Sequence, residues 1–250
     1  MDWRLFGRRR RQNAESWNIK TMFGPNLNFA ATEAYKLLRT NIMFSFAETG
    51  CGHVIGVTSA VQAEGKSSTA CNLTYALAES GSKVVLIDAD LRKPSVASKL
   101  GIARTPGLTN VLVGKFSCHE VRQKCEIAPR MDIITAGDIP PNPSELLSSE
   151  RMGKLLEQLR QEYEYIVVDL PPVTVVSDTV AVSKYLDGVV MVVRGGASDQ
   201  LMLAEAKRQL DMVNVRILGF VYRDQDASGK KYSYRYRKKY YKYYSEYAKK

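Results

Sequence analysis

Six short apolar runs punctuate this chain, at 53–58, 83–88, 131–135, 165–169, 188–193 and 217–222. They are rich in β-branched residues and nearly unbroken by polar ones, the pattern of strands buried on both faces. Elsewhere the period changes. Residues 30–46 place Leu37, Leu38, Ile42 and Phe46 on an apolar stripe and predict a helix, as do 67–80, 143–163, 178–184 and 200–213. Strands alternating with helices predict an α/β fold, with a central, mostly parallel sheet flanked by helices. No internal repeat is visible. With 250 residues, 45% of them hydrophobic, the chain can bury one large core. The expected organisation is an irregular basic arm at 1–29, a single domain at 30–223 and a tail at 224–250.

Charge separates the ends from the body. The formal net charge is +10, of which residues 230–250 carry +8 and residues 1–20 carry +4, leaving −2 for everything between. Basic ends suit an anionic surface, nucleic acid or an acidic protein. The N-terminal run GRRRR at 7–11 reads most simply as a solvated arm. The four cysteines, Cys51, Cys71, Cys118 and Cys125, have no CxxC spacing, which fits reduced intracellular thiols and neither a metal site nor a disulfide framework. No run is long enough to span a membrane, and the start does not read as a secretory signal.

The tail has an unusual composition. Eight of the fourteen tyrosines lie in the last nineteen residues: Tyr232, Tyr234, Tyr236, Tyr240, Tyr241, Tyr243, Tyr244 and Tyr247. Arg235, Arg237, Lys238, Lys239 and Lys242 are interleaved with them, and aliphatic residues are nearly absent. Such a segment buries too little apolar surface to offset the entropy of ordering, so a disordered tail is expected. Its abundance of phenols asks for a role in which the hydroxyl matters.

Candidate chemistry sits after the strands. The first is followed by SAVQAEGKSS at 59–68 and then a helix. Backbone N–H groups of Ala63, Glu64, Gly65, Lys66, Ser67 and Ser68 would cradle phosphates, with the Lys66 ammonium on the β- and γ-phosphates and the Ser67 hydroxyl on Mg2+. The usual first glycine of such a phosphate loop is Ala60 here. A second strand ends in Asp88 and Asp90, which face one way because they are two apart. A third ends in Asp169, placed as a Walker B acid that holds magnesium. Acids at strand ends beside a phosphate loop predict a P-loop NTPase with an ATP–Mg2+ site.

These motifs resemble those of the bacterial tyrosine kinases of capsule and exopolysaccharide synthesis, over about residues 30–250. The features are the loop at 64–67, the DxDxR pattern of Asp88, Asp90 and Arg92, the acid at Asp169, the stretch AGDIPPNPSELL at 136–147 and the tyrosine cluster. Size and the lack of spanning helices are similar to the Firmicute type, in which a cytosolic kinase is separate from its membrane adaptor. The resemblance implies ATP-dependent phosphorylation of the tail tyrosines, in trans within a homo-oligomeric ring, an octamer being one such size. Lys66, Asp88, Asp90 and Asp169 would be catalytic. Ser67, Asp88, Asp90 and Asp169 would hold the metal, and either Asp88 or Asp90 would accept the phenol proton, the resemblance favouring Asp88. Further implied partners are a transmembrane polysaccharide co-polymerase adaptor, which recruits the cytoplasmic kinase to the inner membrane face, and a cognate tyrosine phosphatase.

EAYKLLR at 33–39 is similar to the family's ExxRxxR oligomer motif, with Glu33, Lys36 and Arg39 as contact residues. Lys36 replaces the middle arginine and so lacks its bidentate fork. Tyr222 stands where relatives often have an adenine-contacting asparagine. The loop's Ala63 must adopt whatever backbone angles the phosphate cradle imposes. The rival reading is a MinD/ParA-like positioning ATPase without tyrosine kinase activity. A stacking platform for single-stranded nucleic acid suits the tail's Tyr/Arg composition, but nucleic acid is not the expected partner once the ATP site is considered.

Overall fold

The computed structural model describes residues 23–46, 52–196 and 199–223. Seven strands form one sheet: β1 (His53–Ser59), β2 (Val84–Asp88), β3 (Gln123–Lys124), β4 (Met131–Ile134), β5 (Tyr165–Asp169), β6 (Gly188–Arg194) and β7 (Ile217–Arg223), in the order β3-β4-β2-β5-β1-β6-β7. All pairings are parallel except the two-residue β3 on the edge.

Alternation of side chains explains the continuous apolar runs. Val54, Val85, Ile87, Ile134, Ile166 and Val168 point to one face. There they meet α4 (Leu108–Leu112), α5 (Cys118–Val121), α6 (Pro143–Ser148), α7 (Glu150–Glu162) and α8 (Asp178–Val182). Ile55, Val57, Val84, Leu86, Ile133, Val167 and Val190 point to the other. That face is covered by α1 (Phe29–Ser45), α2 (Lys66–Glu79) and α3 (Val96–Leu100). A third cluster seats α9 (Gln200–Met212) on Val189 and Met191 through Ala206 and Leu210. Both faces are buried because every crossover between parallel strands must lay a covering segment on the sheet.

Several elements differ from the sequence reading. The expected helix over 143–163 is two, because Ser149 leaves helical geometry (φ −67, ψ 155) and its side chain caps α7 by accepting the Met152 N–H. The expected α1 stripe holds for Ile42 and Phe46, whereas Leu37 is 58% exposed. Leu38, Ile42 and Phe46 follow a spacing of four, and Leu37 falls one position off that row. Phe29, Met43 and Phe44 are also exposed on α1. The short α3, α4 and α5 were not expected, since five residues or fewer show no helical period. The tyrosine-rich tail and most of the basic arm lie outside the described residues, as does Cys51. Among the described residues no helix is long and apolar enough to cross a membrane.

Candidate active site

The order β2-β5-β1 sets three carboxyl ends side by side, with Asp88 directly opposite Asp169 in register. The loop between β1 and α2 closes the site. Gly65 is the N-cap of α2 at φ 96 and supplies no side-chain cap, so the first-turn N–H groups remain for an anion. Ala63 also lies in the left-handed region, at φ 63, which normally favours glycine.

The loop is held from behind. The Glu64 side chain is fully buried and turns inward, accepting from the Val61 N–H at 2.9 Å and the Arg194 N–H at 3.5 Å. Arg194 Nη1 donates to the Ala63 carbonyl at 3.0 Å, and Arg223 Nη1 donates to the Glu64 carbonyl at 3.4 Å. The Arg223 guanidinium occupies the space a side chain at Gly65 would need, lying 1.4 Å from an ideal Cβ there. Thus β6 and β7 brace the loop's outer side, and the Glu64 carboxylate acts on the scaffold behind it. Arg194 and Arg223 were missed in the sequence. Their partners lie 131 and 159 residues away, and no local motif marks them.

Charge concentrates at the mouth. Lys66 Nζ lies 2.6 Å from Asp90 Oδ2, 3.8 Å from Asp169 Oδ1 and 3.5 Å from Ser67 Oγ. Burial works against its charged form, but Asp169 and then Asp90 outweigh it, holding the ammonium above its ordinary range. Asp88 Oδ2 accepts N–H bonds from Ser95 at 3.2 Å and Val96 at 3.0 Å, while its buried Oδ1 has no hydrogen-bond partner. Burial, then the charge of Asp169, pushes the Asp88 carboxyl up to about 8. Asp169 is wholly buried with both oxygens free of hydrogen bonds, and burial raises it against the pull of Lys66. Asp90 uses its other oxygen to accept the Lys93 N–H at 3.0 Å.

Three buried carboxylate oxygens without hydrogen bonds fit a hard dication such as Mg2+. Among the described residues no three acidic, Cys or His side chains form a closed metal cage. Mg2+ keeps waters and phosphate oxygens in its shell and takes only one or two carboxylates from a protein.

Around the mouth, Arg92 makes a bidentate pair with the wholly buried Asp178, at 2.8 and 3.0 Å, and a 3.3 Å bond to Ser144. This ties the β2 loop to α8 and α6. Lys93 Nζ reaches Gln62 Oε1 at 3.1 Å across the phosphate loop. Tyr222 is 68% exposed and its hydroxyl lies over Gly195. On α1, Lys36 pairs with Glu33 of its own helix at 2.9 Å, and Arg39 turns inward to the Ala76 carbonyl at 3.1 Å.

The parallel sheet, the loop and the strand-end acids define a P-loop nucleotide-binding protein, and residues 52–195 match the AAA domain family. The chain is 37% identical over 227 residues to tyrosine-protein kinase YwqD of Bacillus subtilis, covering 90% of this chain and 92% of that protein. It is 32% identical to tyrosine-protein kinase CpsD of Streptococcus agalactiae, covering 76% and 81%. The kinase domain of the Escherichia coli tyrosine kinase ETK superposes with a TM-score of 0.75 at 32% identity, over 80% of this chain and 79% of that one. The chain belongs to the bacterial tyrosine kinases. A chain of the MinC:MinD cell division protein complex of Aquifex aeolicus shares the fold at a TM-score of 0.58 and 23% identity, over 69% of this chain and 68% of that one.

Proposed function

We propose that this kinase transfers the γ-phosphoryl group of ATP to the tyrosines of its own C-terminal segment, in trans within a homo-oligomeric ring, and thereby regulates capsule or exopolysaccharide synthesis. The observation that carries the reading is Lys66, poised between Asp90 and Asp169 at the mouth of the phosphate loop. When phosphates enter, the ammonium transfers from these carboxylates to the β- and γ-oxygens, and the α2 N-terminus contributes its N–H groups. A bound Mg2+ would neutralise charge on the phosphates, held by the Ser67 hydroxyl with Asp169, Asp88 and Asp90 as the acids available to it. Asp88 best fits the proton acceptor for an attacking phenol. It retains an oxygen without a hydrogen bond, whereas both Asp90 oxygens are engaged.

Exposed Phe29 and Leu37 beside Glu33 and Lys36 support α1 as a subunit contact. Arg39 would have to leave its carbonyl partner to join it. Membrane recruitment through a co-polymerase adaptor, and reversal by a tyrosine phosphatase, complete the proposal. The full-length chain incubated with Mg–ATP and read by tandem mass spectrometry should carry phosphate on residues 232–247, and Lys66→Met should carry none. ATP hydrolysis without phosphotyrosine would overturn the kinase reading in favour of a positioning ATPase.

A further inference from the structure

A cleft of about 1030 Å³ opens at the end of the sheet opposite the phosphate site, where β1, β2 and β5 begin. Its floor is aromatic. Phe46 stacks on His53 with ring centroids 4.3 Å apart, and His53 lies 5.7 Å from Tyr165. Phe44, 77% exposed, stands on the cleft wall. Four cations line it, Arg39, Lys83, Arg130 and Arg160, against the acids Glu162 and Glu164. Arg160 is committed to Asp187 at 2.7 Å. Glu162 is held by Arg122, and Glu164 accepts the Lys83 backbone N–H. Among the described residues, Arg39, Lys83 and Arg130 form no salt bridge. The buried Arg39 Nε has no hydrogen-bond partner, and Lys83 Nζ lies 5.0 Å from the Tyr163 ring centroid.

Among the described residues, cations without a salt bridge line a cleft with an aromatic floor, and such a cleft asks for an anion carried on a ring. We propose that this cleft seats a phosphotyrosine of the chain's own C-terminal segment, a reading that rests on the tail phosphorylation proposed above. The phosphate oxygens would take Lys83 and Arg130, and the phenyl ring would pack on Phe44 and Phe46. Reach is sufficient. Tyr232 lies nine residues beyond Arg223 and Tyr247 lies twenty-four beyond it, so they extend at most to roughly 30 and 80 Å. The seven-residue β1 spans about 23 Å. Charge makes the seat conditional. The unmodified residues 230–250 carry +8 and are repelled by the cations. Each phosphate adds about −1.5 to −2 and reverses the sign locally. A seated phosphotyrosine would draw the modified tail away from the catalytic end and leave that end open to the next acceptor.

The test uses the full-length Lys66→Met chain, which adds no phosphate of its own, and a labelled peptide of residues 232–250. The peptide carries phosphotyrosine, phosphoserine or unmodified tyrosine at 240, 241, 243 and 244. The phosphotyrosine peptide should bind at least tenfold more tightly than either of the others. Adding Lys83→Ala and Arg130→Ala should remove that preference while leaving the melting temperature within a few degrees. Equal binding of phosphotyrosine and phosphoserine peptides, or a preference that survives both substitutions, overturns the proposal. Phosphatidylserine vesicles that bind through Lys83 and Arg130, with no phosphopeptide preference, would assign the cleft to a membrane surface instead. Because the peptide is synthetic, failure here is separable from failure of autophosphorylation, which mass spectrometry reads on the wild-type chain.

Discussion

Replacing Asp88 with Asn should make the nucleotide-free, metal-free protein more stable at high pH while abolishing its kinase activity. The Asp88 carboxyl is raised to about 8 by burial and by Asp169, against about 3.9 in an unfolded chain. Between these values the folded state binds a proton the unfolded state has lost, so stability falls as pH rises. One such group costs about 1.4 kcal/mol per pH unit, or roughly 4 kcal/mol between pH 5 and pH 8. Asn keeps the acceptor for Ser95 and Val96 but puts an NH2 where Oδ1 has no partner, a cost of roughly 1–3 kcal/mol that does not vary with pH. The variant should therefore be slightly less stable at pH 5 and more stable at pH 8. At roughly 2–4 °C per kcal/mol for a domain of this size, the difference in melting temperature between variant and wild type should swing by about 8–16 °C. Melts at pH 5, 6, 7 and 8 in EDTA read it directly. Titrations of groups remote from Asp88 cancel in the difference, whereas Asp169 and Lys66, which share its field, shift with it and are part of the swing. Parallel curves for the two proteins would refute the raised carboxyl.

Ala63→Gly should raise the melting temperature by about 2 °C, since a left-handed alanine costs about 1 kcal/mol and the added glycine entropy cancels only part of it. A lower melting temperature would show that the loop's shape does not strain Ala63. Arg92→Ala removes the bidentate partner of the wholly buried Asp178 and leaves it the Ser144 hydroxyl, and should cost about 2 kcal/mol by urea denaturation. Arg92→Lys should recover only part of that, because a lysine lacks the fork that meets both Asp178 oxygens.

The sheet was legible because its strands are buried on both faces, which writes Val, Ile and Leu into unbroken runs such as Tyr165–Asp169. The acids were legible because strand ends fix where Asp88 and Asp169 stand, and the register sets them opposite each other. Features built from distant pairs left no local trace. Arg194 and Arg223 read as ordinary strand-end cations until the fold sets them behind the loop, and Asp178 reads as a helix-start acid until Arg92 arrives from 86 residues away. The amphipathic pattern runs through Ser149 on both sides, so only the structure shows it capping α7. Arg39 read as a surface contact, and only the packing of α1 on α2 shows it donating to Ala76.

The brace behind the phosphate loop also has a mechanical meaning. Arg223 is both the last residue of β7 and the residue that touches Gly65 and Glu64. Tension applied to the segment beyond it would run along β7, loading the parallel bonds to β6 in shear, and would strain the guanidinium contact on the loop. A segment anchored at a distant point beyond Arg223 would thus act as a tether whose pull is felt first at the phosphate loop.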